Sequence, residues 1–175
     1  MSIESLMWLF PIVFMVHEFE EIIFLPLWIK DNASYITNKY PILSKKIGTK
    51  LMNISTESFA LAVLEEFLIL SILTYLCVEY KYYSFFAVLI VTYFFHVLVH
   101  IVQSIALKKY IPAVGSGVIT GIYNIYSLYT LNFLGYLDWE YIGEMTLPVI
   151  IVMVLNLVFI HWLTDKFRVL ISAAR

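Results

Sequence analysis

The sequence predicts an all-α polytopic transmembrane bundle of about five spans, and three observations predict it. The chain is 62% hydrophobic and only 14% charged, whereas about a quarter of the residues in a soluble domain are charged. Apolar runs of about 20 residues recur, enough to cross a hydrocarbon core of roughly 30 Å at 1.5 Å per helical residue. The runs are continuous and do not alternate, which favours helices that bond their own backbone groups over a barrel.

Spans are expected at about 4–29, 56–78, 82–107, 111–137 and 145–168. Met1 to Ser5 holds Glu4 and no Lys or Arg, and no small-x-small pattern follows the first run, so that span is expected to be retained and not cleaved as a signal peptide. Pro11 stands just ahead of the polar cluster of the first span and could bend it. The stretch 31–54 mixes Tyr, Ile and Leu with lysines and reads as a loop on the cytoplasmic side, lying against anionic lipid. Ser55 or Thr56 opens the second span with Glu57 in its first turn. In the fourth span Gly117 and Gly121 stand at GxxxG spacing, with Gly115 beside them, and invite close approach of another helix. No repeat or second domain is evident, so residues 1–175 read as a single transmembrane domain.

The loops predict an orientation. Lys30, Lys39, Lys45, Lys46, Lys50, Lys108, Lys109, Lys166, Arg168 and Arg175 fall on one side, while Lys81 stands on the other with Glu4, Glu79, Asp138, Glu140 and Glu144. The positive-inside rule then puts the N-terminus outside and the C-terminus in the cytoplasm. Trp28, Tyr80, Tyr82, Tyr83, Tyr110, Tyr136, Trp139 and Tyr141 cluster at span ends, as rings that favour the headgroup boundary should. The single cysteine, Cys77, reads as packing. A multi-pass cell-membrane protein follows, with lipid and a lipid-borne or membrane-embedded substrate as partners. Homo-oligomers are compatible with this reading, and nucleic acid is not an expected partner.

Ionisable groups at the bilayer centre cost about 2.5–3.5 kcal/mol each on insertion scales, so their presence calls for a function. His17, Glu20 and Glu21 lie at i, i+3 and i+4 and share one helical face, with Glu18 expected to point elsewhere. Glu65 and Glu66 diverge by about 100°, and Glu66 is favoured to face the same site. His96 and His100 stand four apart with Gln103 continuing the stripe, a spacing at which two imidazoles can grip one ion. Asn156 and His161 in the fifth span and Tyr123 and Asn124 in the fourth fall at similar depth. The two Asn and the Tyr suit structural bonding better, and His161 suits either role.

The run His17-Glu18-Phe19-Glu20-Glu21 resembles the HXXEE-domain family of small multi-pass bacterial membrane proteins. In that family a carboxylate in the next apolar helix, a histidine in a later one and a Tyr-x-Pro-Gly-like turn follow. Here Glu65 or Glu66, His96 or His100, and Tyr110-Ile111-Pro112 match, but Ala113 and Val114 precede Gly115 where the family has an immediate glycine. The resemblance implies a polytopic domain in a bacterial plasma membrane with a candidate site, and no particular reaction.

Carboxylates and imidazoles on facing helices suit one or two divalent transition metal ions, Zn, Fe or Mn. The leading expectation is a metal-dependent intramembrane hydrolase with His17, Glu21, Glu66, His96, His100 and His161 as ligands. Glu20 and Glu65 are then the catalytic carboxylates that move protons. Di-iron oxidative chemistry uses the same ligand types. His17-Glu18-x-x-Glu21 lacks the second histidine of H-E-x-x-H zinc proteases. The glutamate-type intramembrane proteases of the prenyl-protease superfamily carry EE-xxx-R, and Leu25 stands where the arginine would be. The alternative function is a proton- or cation-coupled transporter or channel using the cluster as its pathway. A third reading, a structural or interaction subunit, leaves the buried charge without a purpose.

Overall fold

The computed structural model describes residues 1–42, 45 and 55–173, with side chains described up to Thr164 and at Lys166. Among the described residues the chain forms five helices: α1 (Ile3–Lys39), α2 (Thr56–Glu79), α3 (Tyr83–Leu107), α4 (Val114–Phe133) and α5 (Trp139–Ala173). Lys46, Lys50 and Arg175, with residues 43–44 and 46–54 of the expected loop, lie outside the described residues.

Local chemistry places the ends. Ser2 caps α1 by accepting from the Ser5 N–H at 3.1 Å, and Ser55 caps α2 by accepting from the Ser58 N–H at 3.1 Å. The expected loop from Asp31 is instead helical to Lys39, because nothing between Lys30 and Lys39 breaks the backbone pattern. In α5 the helix starts at Trp139, ahead of the expected 145, where Asp138 Oδ1 accepts from the Tyr141 N–H at 3.0 Å. α4 starts late, at Val114, because Tyr110-Ile111-Pro112 turns the chain and Ala113 takes a left-handed conformation at φ 94°.

Backbone contacts trace a ring, α1 on α2, α2 on α5, α5 on α3, α3 on α4 and α4 back on α1. α1 and α3 run in the same direction: Tyr35 Oη donates to the Leu107 carbonyl at 2.6 Å, and Lys109 Nζ to Asn32 Oδ1 at 2.6 Å, joining their C-terminal ends. Across the ring these two helices meet through side chains. Phe10 packs edge-on against Phe86 and Tyr93, both with centroids 5.6 Å away.

α2, α3 and the Trp139–Thr164 part of α5 are each long and apolar enough to cross a membrane. α1 carries Glu18, Glu20, Glu21, Lys30 and Asp31 within its apolar length, and α4 is diluted by Gly, Ser, Thr and Asn. The apolar surface of these helices turns outward: Ile72, Val152, Leu155 and Ile122 are 59%, 65%, 64% and 65% exposed. Soluble monomers seldom expose contiguous apolar patches on this scale, so the belt suits lipid.

Candidate metal centre

The inward stripe of α1 runs Met7, Phe10, Phe14, His17, Glu18, Glu21, all buried. This spacing of three and four residues brings His17 and Glu21 to the axis of the bundle. On α3 the inward stripe Ile90, Tyr93, Val97, His100 points back at it. Because α1 and α3 run parallel, the pair His17 and Glu21 meets the pair His96 and His100 at one level.

The donors converge closely. Glu21 Oε1 lies 2.9 Å from His100 Nε2, 3.4 Å from His17 Nε2 and 3.6 Å from His96 Nε2, and the two α3 histidines face each other at 3.2 Å between Nε2 atoms. One ligand atom from each of the four residues falls within 4.8 Å of every other. Donors held at about 2.0–2.1 Å around a tetrahedral ion stand about 3.3 Å apart, which these spacings bracket. His17 is fully enclosed and Glu21 nearly so, and Glu21 Oε1 is shared by three imidazole nitrogens rather than held in one well-directed hydrogen bond. Three imidazoles and one carboxylate oxygen packed this closely cannot all satisfy one another with well-directed hydrogen bonds, so a cation held between their lone pairs would relieve the arrangement.

Glu20 does a different task. It turns to the start of α4, where Oε2 accepts from the Ser116 N–H at 2.7 Å and the Ser116 hydroxyl at 2.6 Å, and Oε1 accepts from Tyr110 Oη. A carboxylate there also meets the positive end of the α4 dipole. The Tyr110 pKa is raised, chiefly because its hydroxyl donates to Glu20 and secondarily by burial. Ser116 Oγ stands 3.1 Å from His17 Nδ1, so the serine joins the two motif residues.

Two expectations about direction are corrected. Glu18 does not point elsewhere: it is 4% exposed and its Oε1 lies 3.9 Å from His96 Nε2. It follows Phe14 by four positions and precedes Glu21 by three, so the apolar stripe that carries Phe14 inward carries Glu18 too. Glu20 leaves the face shared by His17 and Glu21 and lies on the α4 flank.

Of the remaining expected ligands and catalytic groups, Glu66 lines a cavity beside His96 but stands outside the four-donor group. Glu65 faces α5, accepting from Asn156 Nδ2 at 3.0 Å. His161 is also apart: its Nδ1 bonds the Leu157 carbonyl at 2.8 Å and its ring lies beside Phe59. Tyr123 donates to the Leu6 carbonyl at 2.9 Å, a structural bond.

The expected set omitted Ser116, Tyr93 and Tyr110. Tyr93 packs its ring face along His96 and its edge against His17, filling the wall of the cluster. The Tyr-x-Pro turn was the available signal for Tyr110, but a lone serine after Gly115 carries none.

No curated protein and no solved structure matches the chain. The family model described as "Protein of unknown function with HXXEE motif" matches residues 8–130, a stretch that contains all four converging donors together with Glu20 and Ser116. The motif histidine and its last glutamate meet at the cluster while the middle glutamate ties α1 to α4, and the chain belongs to the HXXEE family.

Proposed function

We propose that the chain is a five-span membrane protein holding one divalent transition metal ion between His17, Glu21, His96 and His100, and that it acts as a metal-dependent hydrolase within the membrane. The observation that carries this reading is the convergence of three imidazole nitrogens at 2.9–3.6 Å from Glu21 Oε1, with His17 and Glu21 sealed from solvent. Three nitrogen donors and one oxygen suit Zn, Fe or Mn. Four protein donors leave one place open on a five-coordinate ion and two on an octahedral one.

When bound, such an ion supplies Lewis acidity, polarising an oxygen of the substrate and acidifying water. The chain supplies the rest. Ser116 and Glu20 orient His17 so that its Nε2 faces the cluster unprotonated. Glu18, buried at 3.9 Å from His96 Nε2 and outside the four-donor group, is the spare carboxylate that accepts a proton from water. The protein wall around the cluster excludes bulk water and strengthens each of these interactions.

Elemental analysis of the full chain, purified in detergent from cells grown with added Zn, Fe and Mn, tests the reading. One equivalent of metal is expected in the unaltered protein. His17→Ala, Glu21→Ala and His100→Ala should each lose most of it while eluting as the same folded species. Metal-free unaltered protein would overturn the proposal. A cation flux into reconstituted vesicles that His17→Ala abolishes would move the assignment to an ion pathway.

A further inference from the structure

Beside the cluster lies a cavity of about 230 Å³ between α1, α2, α3 and α5. Its walls reach from Phe10 to Glu18 on α1, eight residues or about 12 Å along the helix axis. The two ends differ in chemistry. Glu18, Glu66, His96 and Asn156 line one end, and the rest of the wall is apolar apart from Thr92 and Tyr93. Of the four converging donors only His96 reaches this wall, and it is the more open of the two α3 histidines, with its side chain 26% exposed against 10% for His100.

The exposure of the cavity's lining points to an opening sideways. Ile69 on α2 and Val152 on α5 line it and are 40% and 65% exposed, with Leu68, Ile72 and Leu155 exposed around them. A molecule reaching His96 by this route passes through the apolar belt, so it has to be soluble in lipid. Among the described residues no lysine or arginine lines the cavity, and both of its acidic side chains stand at the polar end. In the metal-free chain a phosphate or carboxylate head would give up its hydration to a wall that holds two carboxyl groups and, among the described residues, no lysine or arginine, an arrangement that selects against it. The volume lies below the roughly 300–1,000 Å³ of sites that enclose drug-sized ligands, which leaves room inside for one chain and not two.

We propose that this cavity takes a single hydrocarbon chain bearing an uncharged polar head, an ester, aldehyde or alcohol, which slides in between α2 and α5 and presents its head to His96. Asn156, with its amide held by Glu65 at 3.0 Å, is placed to hydrogen-bond that head. Glu65 is thereby a positioning residue. What becomes of the head rests on the metal-hydrolase reading above, but occupancy of the cavity does not.

The test uses the full chain in phosphatidylcholine vesicles and a photoreactive methyl dodecanoate with a diazirine near the chain end. Illumination should label cavity residues of α2, α3 or α5, and unlabelled methyl dodecanoate should suppress that labelling. In the metal-free His17→Ala chain the matching dodecyl phosphate probe should label the cavity about tenfold less than the ester probe. Met153→Trp and Leu70→Phe, which fill the cavity from different helices, should each reduce labelling about tenfold at unchanged metal content, so either one suffices if the other fails to fold. His17→Ala should lose metal and keep the labelling, which separates failure of this proposal from failure of the metal reading. Equal labelling by the phosphate probe in His17→Ala, labelling spread evenly onto outward residues such as Ile122, or no competition in the unaltered protein would overturn the proposal.

Discussion

The Ser116 hydroxyl has one proton to give, and it goes to Glu20 Oε2 at 2.6 Å, so toward His17 Nδ1 at 3.1 Å the serine accepts. His17 then carries its proton on Nδ1 and turns a lone pair from Nε2 into the cluster, the tautomer that a metal ligand needs. His100 lacks such support, for its Nδ1 is enclosed with no partner among the described residues. Orientation of the His17 imidazole therefore depends on one serine. Ser116→Ala should weaken metal affinity about 10- to 100-fold, the usual effect of removing an outer hydrogen-bond partner, as read by competition with a chromophoric chelator. Ser116→Thr, which keeps the hydroxyl, should recover most of the loss. A Ser116→Ala protein that binds metal as tightly as the unaltered chain would show that Ser116 does not set the tautomer. The four-residue spacings of His17 with Glu21 and His96 with His100 were legible because a helix has fixed periodicity. The division of labour within His-x-x-Glu-Glu was not, because Glu20 finds its partners on a helix nearly a hundred residues away in the chain.

At the scale of elements, the start of α4 is where local preference and tertiary demand conflict. Ala113 is fully buried with φ 94°, a conformation that glycine adopts freely and alanine does not. The turn keeps that geometry because Tyr110 and Ser116, on either side, both bond Glu20. Ala113→Gly should relieve the strain and stabilise the protein by about 1 kcal/mol, a rise of about 2–4 °C in thermal unfolding for a chain of this size. A lower Tm in that variant would mean the methyl group contributes more by packing than it costs in strain. Further along, a Cβ on Gly117 would stand 3.1 Å from Val97 Cγ1 and 3.7 Å from His17 Cε1, whereas one on Gly121 would meet only Phe94 at 3.8 Å. Gly117→Leu should therefore push α4 from α1 and α3 at a cost of about 1–3 kcal/mol and lower metal content. Gly121→Ala should be neutral or stabilising. The GxxxG spacing disclosed a close approach, and the departure from the family's glycine at position 113 was visible too. Neither showed that the first glycine faces the cluster and the second an aromatic edge, since helix order around the ring depends on side-chain fit that no local pattern encodes.

For the whole molecule, composition carried most of the architecture, because a chain with this many continuous apolar residues has few ways to satisfy its backbone other than helices in lipid. Direction across the membrane rests on charge. In the structure the C-terminal ends of α1 and α3 meet through Tyr35, Asn32 and Lys109, so Lys30, Lys39, Lys108 and Lys109 gather at one end. The far end holds Lys81 with Glu79, Asp138 and Glu140, where Ser84 Oγ accepts from the Asp138 N–H at 2.9 Å. Positive-inside bias then predicts that the lysine-rich end faces the cytoplasm and that the Asp138 turn faces out. Thiol labelling separates the two sides. Asp138 and Lys108 are both exposed, and Cys77 is 1% exposed, so single-cysteine variants Asp138→Cys and Lys108→Cys can be built on Cys77→Ser. A membrane-impermeant maleimide added to intact cells should modify position 138 and spare position 108 until the membrane is broken. The opposite pattern would invert the molecule, and labelling at both positions in intact cells would mean that the helices do not cross the bilayer as a single oriented bundle. The four-donor cluster would keep its geometry in either case, but with an inverted bundle the lysine-rich end would lose its attraction to the anionic inner leaflet, about 1 kcal/mol per basic residue near that surface.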